Sequence, residues 1–153
     1  MKRLITFILV LVCVLGLVGC NNKTANIDFP FDVEDVENVE MYHFVGVPAS
    51  AEKKVILEEK TIKSLYDMFE RASLTNKAVE STTGAEITSF RFNLSDGTSY
   101  ELIYECDGVK KGHLKSSTGN FEYSTSADIG SYWSNIDIDA VAVEESELPW
   151  YNN

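Results

Sequence analysis

Two alternating apolar runs, one on each side of Ser95-Asp96-Gly97, constrain this chain more than any other stretch, because a strand pair with one core face tolerates only one register. A two-residue Asp-Gly turn would pair Ser95 with Thr98 and set apolar Phe92 opposite charged Glu101. A three-residue loop, with Gly97 left-handed in a bulge, pairs Phe92 with Tyr100 and Phe90 with Leu102 instead. Only the second register keeps both apolar sets on one side. The segment from Glu86 to Cys106 is therefore expected to be an antiparallel hairpin with a single core face and Glu101 in solvent on the other. Cys106 continues the alternation of Tyr100, Leu102 and Tyr104, which marks it as a small buried hydrophobe.

Other elements follow from periodicity. Val39, Met41, His43 and Val45 alternate with Glu40, Tyr42 and Phe44 in a strand that ends before Pro48, and the short run Lys54 to Leu57 can pair back on it. Ile62, Leu65, Tyr66, Phe69 and Ala72 recur at helical spacing, predicting an amphipathic helix over 59–73 with Glu58 and Glu59 near the positive end of its dipole. A second hairpin is expected between Gly112 to Ser116 and Asn120 to Ser124, turning at Ser117-Thr118-Gly119. Ile129, Tyr132, Trp133 and Ile136 again show helical spacing, and Ile136, Ile138, Ala140 and Ala142 alternate with acids as a last strand. Strands, then a helix, then antiparallel hairpins give an α+β class: a meandering antiparallel sheet with one main amphipathic helix packed on one face.

Ahead of that domain, Lys2 and Arg3 precede an apolar run from Leu4 to Val18, closed by Gly19 and Cys20, the pattern of a secretory signal peptide. The run is shorter than the roughly 20 residues a spanning helix needs. Leu17-Val18-Gly19-Cys20 resembles the lipobox of bacterial lipoproteins. The resemblance implies that the Cys20 thiol takes a diacylglycerol, that residues 1–19 are removed, and that the acylated cysteine anchors the chain on the outer face of the cell membrane. Residues 20–38 are then an acidic tether, 39–145 one α+β domain, and 146–153 a loose tail. Signal and domain pattern together resemble the small extracytoplasmic lipoproteins of Gram-positive bacteria that carry a domain of unknown function. That resemblance, carried over the domain only as a pattern from Val36 to Ile136, implies a location and no chemistry.

The formal net charge of −11 becomes −13 when Lys2 and Arg3 leave with the signal. A surface so acidic excludes nucleic acid as a partner, since binding there needs a basic footprint that releases counterions. It also opposes a domain lying flat on anionic lipid, and it suits a basic extracytoplasmic protein. Once Cys13 is removed and Cys20 acylated, Cys106 is the one remaining thiol, so no disulfide framework is expected.

Catalytic patterns are sparse. Ser50-Ala51-Glu52-Lys53 spells Ser-x-x-Lys but follows Pro48 in a loop, without a downstream Lys-Thr-Gly, and reads as an exposed turn. His43 and His113, the two histidines, lack a His-x-x-x-His or Cys-x-x-Cys neighbour and read as ordinary sheet or surface residues, so no metal site and no cofactor is expected. The acids Asp32, Glu34, Asp35 and Glu37, and again Asp137, Asp139, Glu144, Glu145 and Glu147, lack the spacing of a calcium loop and read as solvated faces. Trp150 and Tyr151 are candidate partner contacts, as rigid amphipathic rings at a polar terminus; closure of the core edge or a loose tail are the alternatives. The reading is a non-enzymatic, lipid-anchored binding or protective module. The alternative, a small-ligand receptor or an enzyme with an unrecognised site, requires a deep apolar pocket, whereas a filled sheet and helix layer favours the module.

Overall fold

A computed structural model of the chain describes residues 24–75, 84–106, 112–116 and 118–149. Its elements are β1 (Thr24–Ala25), β2 (Val36–Val45), β3 (Glu52–Ile56), α1 (Glu59–Glu70), β4 (Leu74–Thr75), β5 (Glu86–Leu94), β6 (Ser99–Cys106), β7 (Gly112–Ser116), β8 (Phe121–Thr125), α2 (Ser131–Asn135) and β9 (Val141–Ala142). Mostly antiparallel sheet with one main helix, the fold is of the α+β class.

The central hairpin takes the register that its apolar alternation demands: Phe92 pairs with Tyr100 and Phe90 with Leu102. At its tip the Leu94 carbonyl accepts from the Gly97 N–H and the Leu94 N–H donates to the Thr98 carbonyl, both at 2.9 Å. Gly97 holds φ at +83°, where a side chain would be strained. This is the three-residue loop with a bulge.

Nine strands form one sheet in the order β1-β4-β8-β7-β6-β5-β2-β3-β9, each pair antiparallel. Because β3 and β4 lie toward opposite edges, the intervening α1 must cross the sheet, and it does so over one face. Ile62, Leu65, Tyr66 and Phe69 form its buried stripe. The Phe69 ring meets Phe90 edge-on at 4.9 Å and Phe92 at 6.0 Å, while Phe29 stacks on Tyr66 at 4.6 Å. Side chains of this size, buried as Phe69, Phe90 and Phe92 are, contribute roughly 1.5–3 kcal/mol each. The second hairpin pairs Ser116 with Phe121 and Gly112 with Thr125. Gly112 is required there, because a Cβ would overlap the Tyr104 ring.

Four expectations are corrected. Packing begins at β1, with Ala25 paired to Leu74 and with Ile27 and Phe29 in the core, so residues 24–38 are not a free tether. The aromatic rings at 29 and 31 need burial more than the neighbouring acids need water, and the acids point out. The face opposite α1 is not wholly solvated either: Tyr42, Phe44, Ala51 and Leu148 make a second small core. Leu148 is 0% exposed and Pro149 is buried, so residues 146–149 are packed rather than loose. The expected strand from Ile136 to Ala142 reduces to Val141–Ala142, because Ile136 and Ile138 turn, the Ile138 N–H reaching the Ile136 carbonyl at 3.0 Å, and pack on the main core. Cys106 is half-buried, at the rim of that core beside the end of β6.

Candidate functional site

The densest polar constellation lies on the sheet face away from α1. Sheet pairing sets Glu40 beside Arg91, Arg91 beside Glu101, and Tyr42 beside Lys53, so alternation alone brings these side chains to one surface. Arg91 Nε donates to Glu101 Oε1 at 2.8 Å, Nη1 to the Tyr42 hydroxyl at 2.6 Å and to Glu40 Oε2 at 3.2 Å, and Nη2 to the Glu147 carbonyl at 2.9 Å. Lys53 Nζ donates to Glu40 Oε1 and to Glu147 Oε2, both at 3.2 Å, and the Tyr42 hydroxyl donates to Glu40 Oε2 at 2.8 Å. Glu101 is only 12% exposed, which corrects its expected place in solvent.

Electrostatics follow the geometry. Burial alone would push the Glu40 carboxyl up, but donors from Tyr42, Lys53 and Arg91 hold it below the usual carboxylate range. Burial, and then the Glu40 carboxylate, push the Tyr42 phenol well above its ordinary value. Each charge is thus held in its ionised form and the phenol in its protonated form. Such an arrangement is a poor acid or base at neutral pH and a good clamp. What it clamps is the chain after Val143: Lys53 and Arg91 hold Glu147, and Glu147 delivers Leu148 to Tyr42, Phe44 and Ala51.

A second cluster sits on the α1 face at the end of β2. The His43 ring stacks on Trp133 with centroids 5.0 Å apart and planes 19° apart. His43 Nδ1 lies 3.2 Å from the Thr88 hydroxyl and Nε2 lies 3.9 Å from Glu86. Lys54 Nζ stands over the Trp133 ring at 4.7 Å and donates to the Trp133 and Ile136 carbonyls at 2.8 Å, which fixes α2 against the sheet. Burial holds the imidazole below its ordinary value, opposed by Glu86 and Glu52 and assisted by Lys54. The unfolded chain therefore takes the proton first as pH falls. The stability that His43 contributes is whole above the ordinary imidazole pKa of 6.5 and is lost as pH drops through the lower folded-state value. The denaturant midpoint is expected to fall between pH 7 and pH 5, and His43→Gln to flatten that fall; an unchanged slope would exclude His43 as its source.

The remaining sequence candidates are dispersed. His113 is buried, with Nδ1 3.6 Å from Glu122 and Nε2 without a partner among the described residues. The Ser50 hydroxyl donates to the Val47 carbonyl at 2.8 Å, and Lys53 is committed to Glu40 and Glu147, so the Ser-x-x-Lys spelling is structural. Asp35 accepts the Asp32 N–H at 3.2 Å and closes a short turn. Leu17, Val18, Gly19 and Cys20, like Trp150 and Tyr151, lie outside the described residues.

Periodicity did not mark Glu40, Lys53, Arg91 and Glu147 as a group. One signal was present: the register that pairs Phe92 with Tyr100 also sets Arg91 opposite Glu101. Comparison of the chain with protein-family models, with curated proteins and with solved structures gives no match.

Proposed function

We propose that this chain is an extracytoplasmic binding or protective module, held on the outer face of the cell membrane by a lipid on Cys20 after removal of residues 1–19, and directed at a basic protein. The observation that carries the reading is the use made of the large side chains. Phe29, Phe31, Tyr66, Phe69, Phe90, Phe92 and Tyr100 fill the space between sheet and helix with rings in mutual contact. The layer where a small ligand would enter an α+β fold of this kind is occupied by the protein itself, which leaves recognition to the surface. That surface is strongly acidic, which speeds encounter with cationic partners and discourages anionic ones. Among the described residues no helix is long and apolar enough to cross a membrane.

Two measurements test it. Cys20→Ala is expected to abolish incorporation of a fatty-acid analogue and to leave uncleaved or secreted precursor, because Cys20 is the lipid acceptor at the signal junction. Equal labelling of both forms refutes the anchor. Cross-linking of the intact protein in its own envelope is expected to trap a basic protein, in a yield that declines with salt; a salt-insensitive yield, or a bound small molecule in its place, refutes the binding reading.

A further inference from the structure

The outer edge of β3 is built unlike a protected sheet edge. Edge strands are normally kept from pairing with other chains by outward lysines, prolines or a covering segment. Here Lys53 and Lys54 both turn inward, Lys53 to Glu40 and Glu147 and Lys54 to the Trp133 and Ile136 carbonyls. The residues left outside are apolar: Val55 is 38% exposed, Leu57 71%, and Val141 on β9 55%. All three share one face, since Val141 pairs with Lys53, and Val55 and Leu57 follow Lys53 at steps of two.

Backbone direction follows from the same register. The Val143 N–H donates to the Ala51 carbonyl at 3.1 Å, so residues 51, 53 and 55 aim their backbone groups away from β2. The β9 pairing covers Glu52 and Lys53 alone. Beyond it, the outward N–H and C=O of Val55, and the groups of Leu57 after it, meet no strand among the described residues.

We propose that this edge, Val55 to Leu57, takes an extended segment of a partner protein as an added strand, and that the segment alternates apolar with basic residues. The apolar set matches Val55, Leu57 and Val141 at the two-residue period of a strand. Charge decides between occupants. Glu58 and Glu59 directly follow the edge, Asp139 precedes β9, and all three are exposed, against the single exposed Lys60 nearby in α1. A second copy of this chain would bring an equal acidic rim against the first, with a formal charge of −11 on each chain, whereas a cationic strand is drawn to it.

The proposal rests on the reading of the domain as a binding module and is tested apart from it. The probe is a fluorescein-labelled, end-blocked peptide of alternating valine and lysine, titrated by anisotropy against the full chain in neutral detergent. Binding is expected to weaken at least about tenfold with Leu57→Asp, at an exposed position that leaves the core alone, and with Val55→Pro, which removes the outward N–H. The aspartate makes the domain more acidic, so attraction by charge alone would hold or tighten. Hydrogen exchange is expected to slow at Val55 and Leu57 when the peptide is present. Unchanged or tighter binding by Leu57→Asp, no protection at those amides, or a dimer of the chain that Leu57→Asp disperses would each overturn the proposal. Any of these results beside normal Cys20 labelling and a cross-linked basic protein removes this edge and leaves the anchored module standing.

Discussion

Replacing Phe92 with aspartate is expected to unfold the domain. Phe92 is 0% exposed and lies within 6.0 Å, centroid to centroid, of Phe29, Phe31 and Phe69. A carboxylate placed there loses the ring contacts and gains neither water nor a cation, a combination that exceeds about 5 kcal/mol. Whole domains of this size are stable by only about 5–15 kcal/mol, so the variant should show little cooperative denaturation. Phe92→Leu, which keeps an apolar side chain in place, should retain a transition at lower denaturant. A Phe92→Asp midpoint near that of the native chain would mean that the face assigned to the core is wrong.

Arg91→Ala is expected to cost about 3–5 kcal/mol, the range for breaking one member of a buried ionic cluster. Glu40 and Glu101 lose a shared cation while remaining largely buried, and the Glu147 carbonyl loses its donor. Arg91→Lys should recover only part of the loss, since one ammonium cannot span four partners spread over Nε, Nη1 and Nη2. The pH dependence gives an independent check. Glu40 sits below the usual carboxylate range in the folded chain, so its contribution is present above that range and disappears as pH falls through the depressed value. The gap between native and Arg91→Ala denaturation midpoints should therefore narrow in acid. Limited proteolysis should also cut the variant first after Val143, where the clamp is released.

The parts of this fold legible in the sequence were those governed by contacts close along the chain. The register of β5 and β6 follows from one glycine and four aromatic or aliphatic positions, and α1 from a single apolar stripe. What escaped depended on distant residues. Tyr42 and Phe44 sit among the outward positions of β2 and become buried only because Leu148 arrives from the other end of the chain. Ile27 and Phe29 lie in an acidic stretch whose composition says tether, and their burial depends on β4 and α1 completing a site for them. The clamp was half legible: Arg91 and Glu101 are cross-strand neighbours, whereas the Lys53 and Glu147 contact joins residues 94 apart, which periodicity cannot register.

Strand order also acts as a ruler. β1 and β9 are the opposite edges of the nine-stranded sheet, and at a spacing of about 4.8 Å those edges lie up to about 38 Å apart along it. Cys20 stands four residues before Thr24, a reach of at most about 14 Å. A chain acylated at Cys20 hangs by its β1 side, so the lipid would set an orientation as well as an address. The edge formed by β3 and β9 would then stand farthest from the headgroups, where a protein arriving from outside meets it first.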